Sequence, residues 1–188
     1  MDNVLFQAIN GLAGHHPLLD ISLILISKYG PFLLLGVLAI LWFWPHERAL
    51  RDSRQRVVLI AVLSVVMALL LNQIVIHLWA RPRPFATHAA TLLLPPSNEP
   101  SFPSDHATFS FAIAVAVLFA SSPLGLFSLL LATLIAFARV YTGEHYVSDV
   151  VGGAMMGTFC TLLLWSFRRY LMPIMEPLLR LVRRLHLG

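Results

Sequence analysis

The sequence predicts an all-α integral membrane protein, and three observations lead to that fold class. Of the 188 residues, 58% are hydrophobic and only 12% are charged, whereas soluble domains carry about 25% charged residues. The mean hydropathy is +0.79. The hydrophobic residues also form several stretches of about 20 residues, the length of helix that crosses a bilayer. This composition excludes disorder, and the single cysteine, Cys160, excludes a disulfide scaffold within the chain.

Four predicted spans follow one another in the second part of the chain. We place them at Val57 to Trp79, His106 to Ser121, Leu124 to Tyr141 and Val147 to Phe167. Short turns join the second span to the third and the third to the fourth. The long loop Ala80 to Asp105 joins the first two, so polar residues can gather at one end of the bundle.

The N-terminal region predicts one more span and an interfacial helix. The segment Leu23 to Trp44 is long enough to cross the bilayer. It contains three residues that predict a kink: Lys28, Gly30 and Pro31. We expect Val4 to Leu19 to lie along the headgroups. This arrangement has five spans, and insertion of Val4 to Leu25 as a further helix would make six.

Arginine clusters predict the orientation of the chain. They occupy the loop before Val57 and the C-terminal tail: Arg48, Arg51, Arg54, Arg56, Arg168, Arg169, Arg180, Arg183 and Arg184. The positive-inside rule places both regions in the cytoplasm, with the N-terminus and the loop Ala80 to Asp105 outside. No basic face with interleaved aromatic residues is present, so we expect no nucleic-acid partner.

The tail after Pro173 predicts an amphipathic helix on the cytoplasmic membrane surface. Its apolar positions are Leu178, Leu179, Val182 and Leu185, which alternate with the arginines of the tail. We find no linker or long repeat, so residues 1–188 are expected to form one membrane-embedded domain.

Nine polar residues fall at the outer ends of three predicted spans, where such groups are costly. They are Arg81, Arg83, Ser104, Asp105, His106, Arg139, Glu144, His145 and Asp149. Snorkelling to the interface would explain a single arginine or glutamate. Nine such residues on one side of the membrane indicate a functional site.

Several of these residues suit a phosphate group. Ser104 precedes an apolar helix and predicts an N-cap, where a hydroxyl and free N–H groups bind anions. Arg83 and Arg139 come from different spans, and guanidinium groups bind phosphoryl oxygens through two parallel hydrogen bonds.

The remaining residues suit acid–base and nucleophilic chemistry. His145 and Asp149 are one helical turn apart, so the carboxylate is expected to fix the imidazole tautomer. The other ring nitrogen is then free to act as a nucleophile or a base. His106 follows the predicted phosphate site closely enough to protonate a leaving oxygen. Together these residues predict phosphoryl transfer.

Two other interpretations use part of the same set. His106, His145 and Asp149 could form a metal triad, but two arginines in the pocket would repel a cation, so we expect no metal and no other cofactor. A non-enzymatic lipid transporter could use the arginines, but it has no need of both histidines and the aspartate.

Three segments of the chain, in order, resemble the signature of the type 2 phosphatidic acid phosphatase superfamily. That signature is Lys-x6-Arg-Pro, Pro-Ser-Gly-His and Ser-Arg-x5-His-x3-Asp. The segments here are Ile76-x6-Arg83-Pro84, Pro103-Ser104-Asp105-His106 and Ala138-Arg139-x5-His145-x3-Asp149. Three further segments, Asn10-Gly11-Leu12, Arg83-Pro84-Phe85 and the run from Ser101 to His106, resemble more closely the bacitracin-resistance undecaprenyl pyrophosphate phosphatases of bacteria.

The resemblance implies a hydrolase in the bacterial cytoplasmic membrane whose active site faces outside. Its expected substrate is a polyprenyl diphosphate lipid, undecaprenyl diphosphate, which is converted to undecaprenyl phosphate and recycled for cell-wall synthesis. Phosphatidylglycerophosphate, phosphatidate and lipid A phosphates remain alternative substrates. The expected roles are His145 as the nucleophile that forms a phosphohistidine, Asp149 as its orienting group, His106 as acid and base, and Arg83, Ser104 and Arg139 as phosphate ligands.

The chain departs from the superfamily signature at three positions. Ile76 stands where the signature has lysine, and we consider Arg81 or His77 as its replacement. Asp105 replaces glycine beside the expected anion site, so it either points away, ligates some group, or is favoured as an acid in the first turn of a helix. Asp105 and Arg81 are both kept as further candidates for the phosphate site. Ala138 replaces serine.

Overall fold

A computed structural model of the chain describes residues 1–44 and 47–184, and these ranges contain eight α-helices. The helices are α1 (Asp2–Asn10), α2 (Pro17–Phe43), α3 (Arg48–Leu78), α4 (Pro84–Thr87), α5 (Asp105–Leu118), α6 (Ser122–Tyr141), α7 (Val147–Ser166) and α8 (Arg168–Arg184). The predicted all-α class is confirmed.

Four helices are long and apolar enough to cross a membrane: α2, α3 from Ala49 onward, α6 and α7. The fifth predicted span corresponds to α5, which has only 14 residues. The chain is therefore a multi-pass membrane protein. Helix α5 packs against α2, α3, α6 and α7, and most of its residues are buried among them.

The short length of α5 affects where the polar residues lie. A helix of this length rises about 21 Å, which is less than the hydrocarbon thickness of roughly 30 Å. At least one end of α5 therefore lies within that thickness. Non-helical backbone at such a depth must be covered by protein or line an aqueous cavity, and the loop before Asp105 meets this condition, since Ser101, Pro103 and Ser104 are buried.

The predicted N-terminal boundaries are wrong. The interfacial helix expected from Val4 to Leu19 is interrupted, because α1 ends at Asn10 and α2 begins at Pro17 rather than at Leu23. Proline is favoured at the first position of a helix, where its missing N–H costs nothing. With 9 residues, α1 is too short to span the membrane, so the arrangement with six spans does not hold. Helix α2 continues through Pro31.

Helix α1 is fixed by Asn10 to the end of the bundle at which α5 begins and α6 ends. The Asn10 side-chain amide donates to the carbonyl oxygens of Thr91 and Tyr141, each at 2.8 Å, and its Oδ1 accepts the N–H of Thr91 at 2.8 Å. Asn10 thus connects α1, the long loop between α3 and α5, and the end of α6. The Asn-Gly-Leu segment noted in the sequence therefore has a structural role.

Two glycines determine how α6 and α7 surround α5. Gly143 has a φ of +86°, and a Cβ there would lie 2.7 Å from the Thr91 carbonyl oxygen, so the tight turn before His145 requires glycine. A Cβ on Gly157 would lie 2.3 Å from the carbonyl oxygen of Thr108. Helices α5 and α7 therefore pack backbone to backbone.

The predicted tail helix is present as α8, which begins earlier than expected, at Arg168, and contains Pro173 and Pro177. Glu176 of α8 forms an ion pair with Arg56 of α3 at 3.3 Å. Leu185, assigned to this helix from the sequence, lies outside the described residues.

Candidate active site

A polar cavity of about 340 Å³ lies at the N-terminal end of α5. It brings together residues from α2, α3, α5, α6 and the loops at the same end of the bundle. Its charged and titratable lining residues are Lys28, Arg83, Glu99, Asp105, His106, Arg139, Glu144 and His145. Both histidines and both arginines expected to act on phosphate therefore share one cavity.

His145 lies in the turn between α6 and α7, and its side chain is only 3% exposed. Its Nδ1 is 2.8 Å from the carbonyl oxygen of Ser101. A carbonyl only accepts hydrogen bonds, so Nδ1 carries the hydrogen and Nε2 keeps the free lone pair. Burial lowers the pKa of His145 to about 4, and the charges of Arg139 and Arg83 act in the same direction. The imidazole is therefore neutral near pH 7, as a nucleophile must be.

Asp149 does not make the expected direct hydrogen bond to His145. Its Oδ2 lies 3.7 Å from Nδ1 and instead accepts the Ser101 hydroxyl at 2.5 Å and the Tyr146 N–H at 2.7 Å. The spacing rule failed because α7 begins at Val147, so His145 precedes the helix and does not share its face. Asp149 therefore reaches His145 through Ser101, a residue to which the sequence analysis gave no role.

Arg81 was considered as a phosphate ligand, but it does not line the cavity. One guanidinium nitrogen donates to Asp149 at 2.5 Å and to Ser148 at 2.6 Å, and the other donates to Asp2 at 2.6 Å. The guanidinium also lies 4.2 Å from the centre of the Tyr146 ring. Because its charge is paired with two carboxylates, Arg81 fixes the start of α7 to α1.

Arg83 and Arg139 share one carboxylate. Glu144 Oε2 accepts hydrogen bonds from Arg83 and, at 3.2 Å, from Arg139. Arg83 also donates to the carbonyl oxygen of Glu99 at 2.7 Å, and Arg139 donates to the Ser27 hydroxyl at 3.2 Å. The two guanidinium groups are thus held side by side. The sequence analysis noted Glu144 among the polar residues but did not foresee this bridging contact.

Ser104 is the N-cap residue of α5, as predicted, but its hydroxyl does not cap the helix. In the part of the chain that the structure describes, the buried Oγ of Ser104 and the buried Nε of Arg139 have no hydrogen-bond partner. A buried polar atom without a partner costs about 1–3 kcal/mol. An anion bound at the helix N-terminus would satisfy such groups.

His106 borders two spaces. It lines the polar cavity and also an apolar cleft of about 320 Å³. The cleft lies between α2, α3 and α5, and its other lining residues are Pro31, Phe32, Leu35, Leu69, Asp105 and Phe109. A lipid bound at His106 can therefore place its polar headgroup in the cavity and its apolar chain in the cleft.

Asp105 is directed towards α3. Its carboxylate accepts a hydrogen bond from the Asn72 side chain at 2.8 Å, and the same amide group donates to Thr108 at 2.8 Å. A carboxylate has no hydrogen to donate to a phosphate oxygen, so Asp105 is unsuited to bind phosphate. Its contact with Asn72 instead joins α5 to α3.

No cationic side chain occupies the position of the lysine in the superfamily signature. Ile76 lines the cavity there. His77, considered as a substitute, has its Nδ1 2.7 Å from the carbonyl oxygen of Gln73 and does not line the cavity. Lys28 of α2, treated in the sequence analysis only as a residue that kinks a helix, does line it.

Comparison with known families gives one match that covers most of this site. The family model of the PAP2 superfamily matches residues 57–173. The chain belongs to the PAP2 superfamily. This segment includes the predicted site residues from Arg81 to Asp149, and the likeness noted in the three sequence motifs is confirmed.

Similar proteins extend the match to nearly the whole chain. Undecaprenyl-diphosphatase BcrC of Bacillus subtilis is 30% identical over 181 residues, which are 96% of this chain and 91% of that protein. The bacitracin transport permease protein BcrC of Bacillus licheniformis is 29% identical over 159 residues, 84% of this chain and 75% of that protein. Family membership and these relatives make the chain a membrane-bound lipid phosphatase.

Two solved structures share the fold. LpxE of Aquifex aeolicus has a TM-score of 0.69 and 26% identity, and the match covers 88% of this chain and 94% of that one. A transmembrane PAP2-type phosphatidylglycerolphosphate phosphatase from Bacillus subtilis has a TM-score of 0.66 and 23% identity, with 90% of this chain and 85% of that one covered. Both comparisons agree with a bundle of membrane helices.

Proposed function

We propose that the chain hydrolyses undecaprenyl diphosphate to undecaprenyl phosphate and inorganic phosphate at the outer face of the bacterial cytoplasmic membrane. One observation carries this proposal: His106 borders both the polar cavity and the apolar cleft. A diphosphate headgroup on a long apolar chain fits such a junction. The name of the Bacillus subtilis relative supports the choice of lipid.

The terminal phosphate binds in the polar cavity. Arg83 and Arg139 line the cavity and supply guanidinium groups. Ser104 is buried behind the lining, between Pro103 and Asp105, and its hydroxyl has no other partner among the described residues. These groups hold the equatorial oxygens while charge redistributes in the transition state. In the substrate-free protein, Glu144 bridges the two arginines.

Hydrolysis proceeds in two steps. Neutral Nε2 of His145 attacks the terminal phosphorus, and the bond from that phosphorus to the bridging oxygen breaks. The electron pair stays on the bridging oxygen, which takes a proton from His106. His106 then removes a proton from water, the water oxygen attacks the phosphohistidine, and the electron pair of the P–N bond returns to Nε2. Asp149 acts through Ser101, which keeps Nδ1 protonated.

The reaction is proposed to need no metal ion. Two guanidinium groups already supply the positive charge that a metal would bring to the phosphate. Among residues 1–44 and 47–184, no three histidine, cysteine, aspartate or glutamate side chains are grouped closely enough to hold a metal. Activity is expected to persist in EDTA, and restoration of a chelated enzyme by one divalent metal would contradict this part of the proposal.

The outward orientation rests on the arginine clusters and gives the reaction its context. A carrier diphosphate is released at the outer face once its polymer has been transferred. An active site on that face converts the carrier to the monophosphate before it returns across the membrane.

A substrate panel tests the proposal. Purified protein is assayed for phosphate release from undecaprenyl diphosphate, phosphatidylglycerophosphate, phosphatidate and a lipid A phosphate. We expect kcat/KM for undecaprenyl diphosphate to exceed the others by about tenfold or more, a difference of ~1.4 kcal/mol in transition-state binding. A higher value for another lipid would assign the enzyme to that lipid. One relative carries a transport name, and failure to release phosphate from any of the lipids would favour transport.

A further inference from the structure

Lys28 is the only lysine of the chain and lies on α2, outside all three sequence motifs. It nevertheless lines the polar cavity, together with Ile76 and both arginines. The neighbouring Ser27 accepts a hydrogen bond from Arg139 at 3.2 Å. The backbone that carries Lys28 is therefore fixed beside the phosphate-binding groups.

The ammonium group of Lys28 has no acidic partner or hydrogen bond within the described residues. It stands in the interior of a membrane-spanning helix. An ionisable residue at such a position is costly unless it faces an aqueous cavity or a group of opposite charge. Lys28 faces the cavity, and an anionic substrate would supply the missing charge.

One face of α2 links the polar cavity to the apolar cleft. Lys28 lines the cavity, and Pro31, Phe32 and Leu35 line the cleft. These four residues follow the spacing i, i+3, i+4 and i+7, which places them in one stripe along the helix. Lys28 is the member of this stripe at the junction, the same junction that His106 borders from α5.

In a lipid diphosphate, the group between the terminal phosphate and the apolar chain is the phosphate linked to that chain. We propose that Lys28 binds this chain-linked phosphate and thereby makes the enzyme favour lipid diphosphates over lipid monophosphates. The inference rests on the proposed function, because it takes the terminal phosphate to lie at Arg83 and Arg139 and the chain to lie in the cleft.

The charge balance of the reaction explains the preference. When His145 attacks the terminal phosphorus of a diphosphate, the electron pair of the broken bond stays on the bridging oxygen of the chain-linked phosphate. In the transition state, before the His106 proton is fully transferred, negative charge develops on that bridging oxygen beside the Lys28 ammonium, so the interaction is stronger in the transition state than in the ground state. A lipid monophosphate leaves as an alcohol after protonation by His106 and offers Lys28 no second phosphate.

The test compares two substrates that share one chain, farnesyl diphosphate and farnesyl monophosphate. A hydrogen bond to a charged group contributes about 1.5–3 kcal/mol, so loss of Lys28 should lower the ratio of kcat/KM for diphosphate to monophosphate by about tenfold to hundredfold. Lys28→Met removes the charge and keeps an unbranched apolar side chain. Lys28→Arg should retain most of the ratio, and so should Tyr29→Phe, which changes an exposed neighbour outside both cavities.

A gain-of-function variant and a binding measurement complete the test. Ile76→Lys in the Lys28→Met background returns an ammonium group to the same cavity and should restore part of the ratio. Inhibition by inorganic pyrophosphate should weaken in Lys28→Met, whereas inhibition by inorganic phosphate should change much less.

The two proposals fail in different ways. If the wild-type protein hydrolyses the diphosphate and Lys28→Met lowers kcat/KM for both substrates by the same factor, the role proposed for Lys28 is wrong and the proposed function stands. If the wild-type protein releases phosphate from neither lipid, the proposed function itself fails. An unchanged pyrophosphate inhibition constant in Lys28→Met would also overturn the inference, whatever happens to turnover.

Discussion

His145 donates its Nδ1 hydrogen to the backbone carbonyl of Ser101 at 2.8 Å, and this contact sets the tautomer of the proposed nucleophile. The Ser101 hydroxyl donates to Asp149 at 2.5 Å, so one residue meets the imidazole with its backbone and the carboxylate with its side chain. The acidic group therefore holds the loop that orients the histidine. This arrangement differs from a direct histidine–carboxylate pair.

Replacement of the proposed nucleophile should stop turnover. His145→Ala removes the Nε2 lone pair that is proposed to form the covalent intermediate. We expect kcat to fall by at least about a thousandfold, above the roughly hundredfold minimum typical of losing a general acid or base. An acid-labile phosphoenzyme trapped from the wild type should be absent in the variant. His77→Ala serves as the control, since His77 lies outside the cavity lining and its Nδ1 is 2.7 Å from the Gln73 carbonyl oxygen of its own helix. A phosphoenzyme in His145→Ala would contradict the assignment.

Asp149 and Ser101 should differ in their effects. Asp149→Asn leaves Arg81 without its buried partner, and breaking a buried ion pair costs about 3–5 kcal/mol, so both Tm and kcat should fall. Ser101→Ala keeps the carbonyl that orients His145 and should lower kcat by only about tenfold, the effect of losing one hydrogen bond of roughly 1–1.5 kcal/mol. Thermal unfolding and kcat are measured for both variants. A larger loss of kcat in Ser101→Ala than in Asp149→Asn would show that the hydroxyl matters more than the carboxylate.

The sequence predicted the spans and most of the cavity for identifiable reasons. Hydrophobic length determines which helices cross a membrane, and charged residues gathered at one end of these helices are too costly to be incidental. It did not predict the Ser101 contact, because a backbone carbonyl leaves no mark on residue type. Helical spacing also predicted a direct contact between Asp149 and His145, but His145 precedes the helix that carries Asp149. Lys28 was overlooked because only the packing of α2 on α6 brings it to the cavity.

Glu144 is expected to compete with the substrate for the two arginines. Its Oε2 accepts from both guanidinium groups and so occupies an acceptor position that a phosphate oxygen would use. Glu144→Gln should lower the inhibition constant of vanadate by about tenfold, in line with the 1.5–3 kcal/mol of a charged hydrogen bond, while lowering Tm because two buried cations lose their counter-charge. Glu47→Gln makes the same charge change at the exposed start of α3 and should alter neither quantity. Weaker vanadate inhibition in Glu144→Gln would mean that Glu144 assists binding.

The acid limb of the pH profile should lie well below the usual range of histidine. Burial lowers the pKa of His145 to about 4, so the neutral, nucleophilic form predominates above that pH. The value of kcat/KM in the free enzyme should therefore be maintained as the pH falls from 7 to about 5 and decline only as the pH approaches 4. Steady-state kinetics in detergent over this range provide the measurement. An acid limb near pH 6.5 would indicate a solvated His145.

The same pKa predicts a stability effect. An unfolded chain protonates this histidine near pH 6.5, whereas the folded protein resists protonation until about pH 4. Acidification between these values therefore favours unfolding, and the stability lost on acidification returns as the pH rises through 6.5. His145→Gln cannot titrate, so its Tm should fall less steeply over this interval than that of the wild type. Equal slopes would show that other groups determine the acid sensitivity.

Side-specific labelling tests the orientation independently of the chemistry. Asn98 in the loop between α3 and α5 and Ser53 at the start of α3 are both exposed, whereas the native cysteine, Cys160, is buried. Single cysteines at positions 98 and 53 are introduced in a Cys160→Ala background, and intact cells are treated with an impermeant maleimide. Because the arginines around position 53 are retained in the cytoplasm, only position 98 should react until the membrane is permeabilised, after which both should. Labelling of position 53 alone in intact cells would invert the topology, and the active site would then act on diphosphate lipid at the inner face.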